Sequence, residues 1–418
     1  MNLLNIKNKK AVIAWSFYDF ANQPFSTIIV TFIYSAFFVK GISHNEDQGT
    51  FLWSIGIAIT YVFVSLSAPI LGAISDNKGN RRSFFIFFSL ACSLFSMLLF
   101  FPDVGDVYTA LVLFVIANIS FELATVFCNS YLPDISDEKN IGRISGYSWG
   151  LGFVGGLLAL FICFICFDVS SIEDIKSINI LVGIWFIIFS LPAFLVLKDD
   201  ISKETVSNYN QNIFSAFSSI QQTFKNISSY KSIYRFLIAR LFFNDGLITI
   251  FSLGGIYAVG TLNFTFDEVL ILGIVLNFCA GIGAFVFGYT EDRIGVKKVL
   301  NLSLVILMLA IIIAFIAPET LYPKEWFWFS GILIGLMAGP NQSCSRSLMS
   351  RLTPNVKKNE FFGFYALTGK ATAFLGPLLF GLVTIYFDQQ LAILVVLFFL
   401  LIGFLLFNFL HINDSSIN

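Results

Sequence analysis

The chain has 418 residues, of which 57% are hydrophobic and 12% charged, with a mean hydropathy of +0.82 and a formal net charge of −1. Soluble domains carry about a quarter of their residues as charges, so this composition excludes a soluble globular protein. The near-neutral balance excludes a nucleic-acid partner, which needs a concentrated basic face. Fifty-one phenylalanines supply bulk suited to contact with membrane lipid.

A spanning helix needs about 20 mostly apolar residues. Twelve runs qualify: 11–39, 51–74, 83–101, 107–131, 144–167, 178–197, 235–260, 268–289, 298–317, 326–350, 361–387 and 391–411. Lys7, Lys9 and Lys10 precede the first run. That run is too long for a signal peptide and lacks a small-residue cleavage site, so it is expected to stay. Six runs lie before and six after a polar segment, giving an N-terminal bundle over 1–197, a linker over 198–232 and a C-terminal bundle over 233–418. The linker carries Phe214, Phe217, Ile220, Phe224 and Ile227 at helical spacing. Part of it is expected to lie on the membrane surface as an amphipathic helix, serving either as a tether between the halves or as a regulatory or partner site. Twenty lysines and arginines fall at the N-terminus, in the loops after runs 2, 4, 8 and 10, and in the linker. The opposite loops hold only Lys40, Lys176 and Lys324. Both termini are therefore expected in the cytoplasm.

Ionisable residues inside a membrane are costly and face a partner or a cavity. Here they cluster. Asp19 and Asn22 share the first run. Asn118, Glu122, Thr125 and Asn129 form one stripe on the fourth; Arg240, Asn244 and Asp245 lie on the seventh; Asn341, Gln342, Ser345 and Arg346 lie on the tenth. Lys370 stands on the eleventh. One reading makes these residues a substrate cavity, in which Asp19 or Asp245 holds an ammonium and Arg240 or Lys370 a carboxylate. The other has them pair to fix helix packing, with Arg240 and Arg346 reaching toward the surface. Glu122 has no basic residue within reach on its own helix, and desolvation there makes it a proton-coupling candidate.

Two stretches repeat one another. Gly72-Ala73-Ile74-Ser75-Asp76-Asn77-Lys78-Gly79 is followed by Arg81 and Arg82, and Gly288-Tyr289-Thr290-Glu291-Asp292-Arg293-Ile294-Gly295 by Lys297 and Lys298. They lie 216 residues apart, about half the chain. A half-length repeat between spanning helices marks a transporter made of two similar halves. Gly72 and Gly288 are expected to let a neighbouring helix approach. Asp76 and Asp292 are expected to accept hydrogen bonds from a neighbouring helix end or to pair with a basic residue. Gly79 and Gly295 make the turns, and the basic pairs are expected at the cytoplasmic lipid surface, so that the two loops act as gates.

The six cysteines, Cys92, Cys128, Cys163, Cys166, Cys279 and Cys344, all fall in apolar segments, which argues against disulfides. Cys163 and Cys166 form a C-x-x-C with no second pair and no nearby histidine, so neither a metal site nor a cofactor is expected. The histidines, His44 and His411, have no catalytic neighbour in the sequence, and no phosphate-binding loop motif is present; the chain is read as neither an enzyme nor a primary pump.

The repeated motif resembles the loop signature of the major facilitator superfamily. Trp15-Ser-Phe-Tyr-Asp-Phe-Ala-Asn-Gln-Pro-Phe25 is similar to the first-helix signature of its vacuolar-effluxer branch. So are Tyr131-Leu-Pro-Asp-Ile135 with Gly142-Arg-Ile-Ser-Gly146, Phe243-Asn-Asp-Gly246, Gln342-Ser-Cys-Ser-Arg-Ser347, and Phe361 to Ala371 running on to Gly376-Pro377. Asn77 and Asn80 stand where basic residues are usual, and Gly339-Pro340-Asn341 where small residues usually precede the glutamine. The resemblance implies twelve helices in two bundles and alternating access, with the first helix of each three-helix unit lining a central cavity. It also implies efflux of small metabolites, neutral amino acids in the best-known eukaryotic branch. A monomeric secondary exporter of amino acids or similar zwitterions, coupled to protons and sited in a bacterial inner membrane, is the leading expectation. Export of drug-like or lipid-like molecules and a non-transporting receptor or scaffold are the alternatives.

Overall fold

The computed structural model describes residues 8–168, 171–199, 221, 223 and 230–409. Among the described residues every regular element is a helix. Six long ones come from the first sequence half: α1 Lys9–Ile42, α2 Glu46–Lys78, α3 Arg81–Leu98, α4 Val107–Asn129, α5 Ile141–Cys166 and α6 Ile172–Val196. The second half supplies α7 Lys231–Leu262, α8 Phe266–Ile294, α9 Val296–Ile316, α10 Pro323–Leu352, α11 Asn355–Tyr386 and α12 Gln389–Asn408. The five linker residues expected to form an apolar face, Phe214, Phe217, Ile220, Phe224 and Ile227, lie outside the described residues.

Eleven of these helices are long and apolar enough to cross a membrane. The twelfth, α10, has 30 residues, about 45 Å at 1.5 Å per residue, and packs along α8 and α9. Its second half falls short in hydropathy because it carries Asn341, Gln342, Arg346 and four serines, nearly all of them buried against protein. The chain is an all-α integral membrane protein, and among the described residues twelve long helices match the twelve apolar runs.

These helices pack as two units. One is built from 8–135, 151–199 and 354–367; the other from 136–150, 230–353 and 368–409. In the first, α1 pairs with α6, α2 with α4, and α3 with both α4 and α6. In the second, α7 pairs with α12, α8 with α10, and α9 with both α10 and α12. The four pairings are the same after a shift of six helices, which is the structural form of the half-chain repeat. Each unit also takes in the start of one helix from the other sequence half: α11 in the first, α5 in the second.

Local chemistry sets the breaks and ends. Pro24 has no N–H to offer the Phe20 carbonyl, and Trp185 Nε1 on α6 donates to it instead at 3.2 Å. Beyond Pro24 the helix widens into π-helical turns over Phe25–Phe32 and Phe38–Ile42, a departure from the uniform helix read for the first run. The eleventh run is likewise not one helix. It stops at Lys370 and resumes at Leu375 after four non-helical residues. Thr265 and Glu268 form a reciprocal capping box at the start of α8. The turns from α2 to α3 and from α8 to α9 are made at Gly79 (φ 62°) and Gly295 (φ 93°), backbone conformations that side chains rarely adopt.

Candidate functional site

In the second unit, the break in α11 gathers polar groups from three helices. Arg240 Nη1 on α7 donates to Thr368 Oγ1 at 3.3 Å, one turn before the break. Asn244, one turn further along α7, donates through Nδ2 to the Gly369 carbonyl at 3.1 Å and accepts from Gln342 Nε2 of α10 at 3.3 Å. Asp245 Oδ1 accepts from Thr372 Oγ1 at 3.1 Å, inside the break itself. Arg240 and Asn244 are each 5% exposed and Asp245 is fully buried. Thus Arg240, Asn244, Asp245 and Gln342, four of the expected cavity residues, come together. Lys370 stands half-buried at the end of the first α11 segment. Thr368 and Thr372 were not singled out from sequence, although Gly369 and Gly376 around them hint at a helix interruption.

Two expected cavity residues go elsewhere. Asn341 is fully buried, and its Nδ2 donates to Ser303 Oγ of α9 at 3.1 Å, because one residue along a helix turns the side chain about 100° away from Gln342. Arg346 is 2% exposed and donates to Ser145 Oγ (3.0 Å) and to the Ser145 carbonyl (2.8 Å) at the start of α5, with its guanidinium 5.6 Å from the Trp149 ring. The separate gap between α7, α9, α10, α11 and α12, lined by Thr249, Tyr257, Phe327 and apolar neighbours, measures about 30 Å³. That is room for about two waters, too little for a metabolite.

In the first unit, α1 and α4 run antiparallel. Trp15 Nε1 donates to the Cys128 carbonyl at 2.8 Å, and ten residues on Phe25 stacks on Phe121 at 4.9 Å. Asp19, Asn22, Glu122 and Thr125 lie between these two contacts along the seam. Asn22 and Asn118 are buried; Asp19 is half-buried with its backbone against Gly152 of α5. Glu122 is half-buried as well.

The two repeated motifs each close a clasp within one unit. In the first, both Asp76 oxygens accept from the start of α11: Oδ1 from Asn359 N (3.1 Å) and Nδ2 (2.7 Å), Oδ2 from Glu360 N (2.8 Å). In the second, Asp292 accepts from the start of α5: Oδ1 from Gly142 N (3.0 Å), Oδ2 from Arg143 N (3.2 Å) and Nε (3.3 Å). Each carboxylate thus caps a helix N-terminus, where free N–H groups and the helix dipole favour negative charge. Small residues bring the helices close enough to do this. Gly72 of α2 lies against the Asn359 backbone, and Gly363 of α11 against Ala68. Gly288 and Gly146 face each other on α8 and α5.

The basic pair after the first motif reaches the ends of neighbouring helices. Arg81 is 6% exposed; it donates to the Ser130 carbonyl at the end of α4 (2.8 Å) and to Asp134 Oδ2 (2.6 Å), with its guanidinium 3.6 Å over Tyr131. Arg82 donates to the Phe194 carbonyl near the end of α6 at 2.8 Å. Both satisfy carbonyls that a helix C-terminus leaves free, which draws them inward. Asp199, just past α6, accepts from Arg82 N at 3.0 Å; burial pushes its carboxyl above the ordinary value, against the pull of that N–H and of Arg81. Lys297 plays a similar part in the second unit, donating to the Asn408 carbonyl at 3.3 Å, while Lys298 is exposed. Sequence reading also missed Glu291, which is 1% exposed, accepts from Ser347 Oγ and pairs with Arg351 at 3.4 Å. Among the described residues no group of three or more His, Cys, Asp or Glu is placed to hold a metal ion.

The model of the vacuole effluxer Atg22-like family matches residues 50–417. The uncharacterized MFS-type transporter YxiO of Bacillus subtilis is 28% identical over 379 residues, covering 88% of this chain and 86% of that one. Autophagy-related protein 22 of Vanderwaltozyma polyspora is 23% identical over 450 residues, covering 91% and 86%. Among solved structures, the major facilitator transporter FucP in its outward conformation superposes with a TM-score of 0.75 at 13% identity, over 97% of this chain and 99% of that one. The proton:xylose symporter XylE gives 0.74 at 13% identity, over 96% and 95%. At such identity these two establish the fold alone. The chain belongs to the Atg22-like vacuole effluxer family and is a multi-pass membrane transporter of the major facilitator superfamily.

Proposed function

We propose that the chain is a monomeric secondary exporter of amino acids or similar zwitterions, coupled to protons and working by alternating access in a bacterial inner membrane. Its termini and both motif loops lie in the cytoplasm on this reading, and it catalyses no covalent chemistry. The observation that carries it is the polar cluster at the α11 break. There a buried guanidinium (Arg240) and a buried carboxyl (Asp245) stand five residues apart on α7 beside uncharged hydrogen-bonding groups on α10 and α11. A zwitterion needs one anchor of each sign, and discontinuous helices are where transporters place such anchors. The effluxer family name supports outward movement. The excess of basic residues on the motif loops supports the orientation. The two clasps are read as locks of one closed state, released when the other side opens.

The test is flux in vesicles reconstituted with the full chain and loaded with a labelled mixture of neutral amino acids. Efflux faster than from empty vesicles is expected, and Arg240→Gln should cut it at least tenfold, since a lost charge partner in low dielectric exceeds 1.4 kcal/mol. Wild-type vesicles that release none of the mixture would sink the zwitterion reading. A metabolite comparison of cells with and without the protein would then point to the actual cargo.

A further inference from the structure

Asp245 is a carboxyl group with almost nothing around it to hold a charge. Its side chain is fully buried, and its one hydrogen bond comes from Thr372 Oγ1 to Oδ1. Oδ2 has no hydrogen-bond partner, and among the described residues Asp245 enters no ion pair. The charged groups on the elements around it are otherwise engaged. Arg240, five residues back on α7, reaches Thr368. Lys370 lies two residues before Thr372 on α11, and Arg346 of α10 holds Ser145. The α12 stretch Leu394–Asn408, which packs on α7, contains no charged residue.

Asp245 also faces the end of the α11 segment Lys358–Lys370, where the helix dipole concentrates partial negative charge. An ionised carboxylate would meet that negative end with no counter-charge beside it, whereas a neutral carboxyl meets it at little cost. The oxygens gathered here, Asp245 Oδ1 and Oδ2 with Thr372 Oγ1, are too few to replace the hydration shell of a metal ion. A proton needs only one of them.

The same residue is tied to the part of the fold best able to move. Thr249 Oγ1 donates to the Asp245 main-chain carbonyl at 2.7 Å and stands where a Cβ on Gly376 would have to go, so α7 touches α11 on both sides of its break. Bending at Ala371–Phe374 would separate Thr372 from Asp245 and let water reach the carboxyl, which then ionises. Closing the break again requires the proton back.

We propose that Asp245 carries the coupled proton, bound on Oδ2 while the α11 break is closed and passed to water when it opens. This deepens the proton-coupled reading above and rests on it. It sets Asp245, which is fully buried at the α11 break, ahead of Glu122, which is half-buried. One proton is taken from water on one side and given to water on the other in each cycle, with no other bond made or broken.

The experiment has two arms, both on the full chain in lipid. In the first, infrared difference spectra between acidic and alkaline pH should contain the carbonyl stretch of a protonated carboxyl that Asp245→Asn removes and Asp245→Glu restores. An unchanged band in Asp245→Asn overturns the proposal. In the second, vesicles carry the labelled neutral amino acids under a pH gradient. Asp245→Asn should lose gradient-driven accumulation, and Asp245→Glu should restore it. Accumulation that persists in this variant, or that in the wild type follows a sodium gradient instead, also overturns it. Wild-type vesicles that move none of the probe would fail the transport reading, while the infrared arm still decides the protonation of Asp245. Asp245→Glu keeps a carboxyl in place should the asparagine variant not fold.

Discussion

The two clasps are built on one plan and charged differently. In both, an aspartate at a helix end accepts two successive backbone N–H groups from the start of a helix of the other sequence half, across a seam of small residues. The small residues themselves repeat. Ala68 and Gly72 stand four apart on α2, and Ala284 and Gly288 stand four apart on α8. The partners differ at both positions, Asn359 and Glu360 in the first clasp against Gly142 and Arg143 in the second. Asn359 opens the α11 side, where the second clasp has Gly142. The Asn359 side chain ties Asp76 to Ser130 Oγ, the latter at 2.6 Å. Gly142 offers only its N–H, and charge fills the gap: Arg143 pairs with Asp292 at 3.3 Å and Arg351 approaches at 3.8 Å. Among the described residues Asp76 has no such ion pair. The geometry of the lock is therefore the repeated feature, and each unit meets its electrostatic demand with its own side chains.

The largest difference is expected from the glycines. A Cβ on Gly72 would lie 2.5 Å from the Asn359 carbonyl carbon and 2.8 Å from Glu360 N, backbone atoms that cannot swing aside. On Gly288 the nearest atoms are Gly146 Cα at 2.8 Å and the Gly142 carbonyl oxygen at 3.0 Å. Gly72→Ala should cost about 3 kcal/mol or more and Gly288→Ala about 1–2, from the usual penalty of overpacking. Thermal unfolding of both variants in the same lipid checks the order. Equal losses would mean that the α2–α11 seam can open as easily as the α8–α5 seam.

Next come the aspartates. Asparagine at either position turns one accepting oxygen into a donor facing an N–H. At Asp292 it also strips Arg143 of its carboxylate partner and leaves Arg351 with Glu291 and the Glu138 carbonyl. At Asp76 the neighbouring acid is Glu360, fully buried, so a neutral residue there relieves some repulsion. Asp292→Asn should cost about 2–3 kcal/mol and Asp76→Asn about 1, in keeping with charged against neutral hydrogen bonds. If both clasps lock the closed state, Asp76→Ala should still slow amino-acid flux markedly in the vesicle assay. Wild-type rates in that variant would remove the first clasp from the mechanism.

Much of this was legible in the sequence because apolar length and glycine turns are local signals. Twelve runs gave twelve helices, and Gly79 and Gly295 turn where the motif spacing puts them. The identity of the partner was not legible. Asp76 and Asp292 ask for N–H groups, but only the fold says that they are those of Asn359 and Gly142, hundreds of positions away or nearly so. Spacing held a usable hint, since Gly142 and Gly146 form a second small-residue pair four apart, fit to face Ala284 and Gly288. The site divides in the same way. Helical periodicity put Arg240, Asn244 and Asp245 on one helix. It could not place the α11 break opposite them, because Gly369 and Gly376 only flank it and Ala371-Thr372-Ala373-Phe374 itself contains neither glycine nor proline. Nor could it separate Asn341 from Gln342, adjacent residues that serve different neighbours.

The smallest expected effect distinguishes the basic residues that follow each motif. Arg81 and Lys297 occupy equivalent positions in the repeat, yet Arg81 meets four groups at once: the Ser130 carbonyl, Asp134, Asp199 at 3.8 Å and the face of Tyr131. A planar guanidinium can stack on a ring while its edge donates to two acceptors; an ammonium is a point charge on a flexible stem and must choose. Arg81→Lys should therefore lose about 1–2 kcal/mol, with the α4 carbonyl left short of a donor. Lys297 is half-buried, and its donation to the Asn408 carbonyl at 3.3 Å can be made equally by a guanidinium. Lys297→Arg should stay within about 0.5 kcal/mol of wild type, the range of ordinary surface substitutions. Unfolding midpoints of the two variants in one membrane mimetic give the comparison directly. A loss at Lys297 as large as that at Arg81 would show that the second loop depends on its lysine in a way the Asn408 contact does not account for.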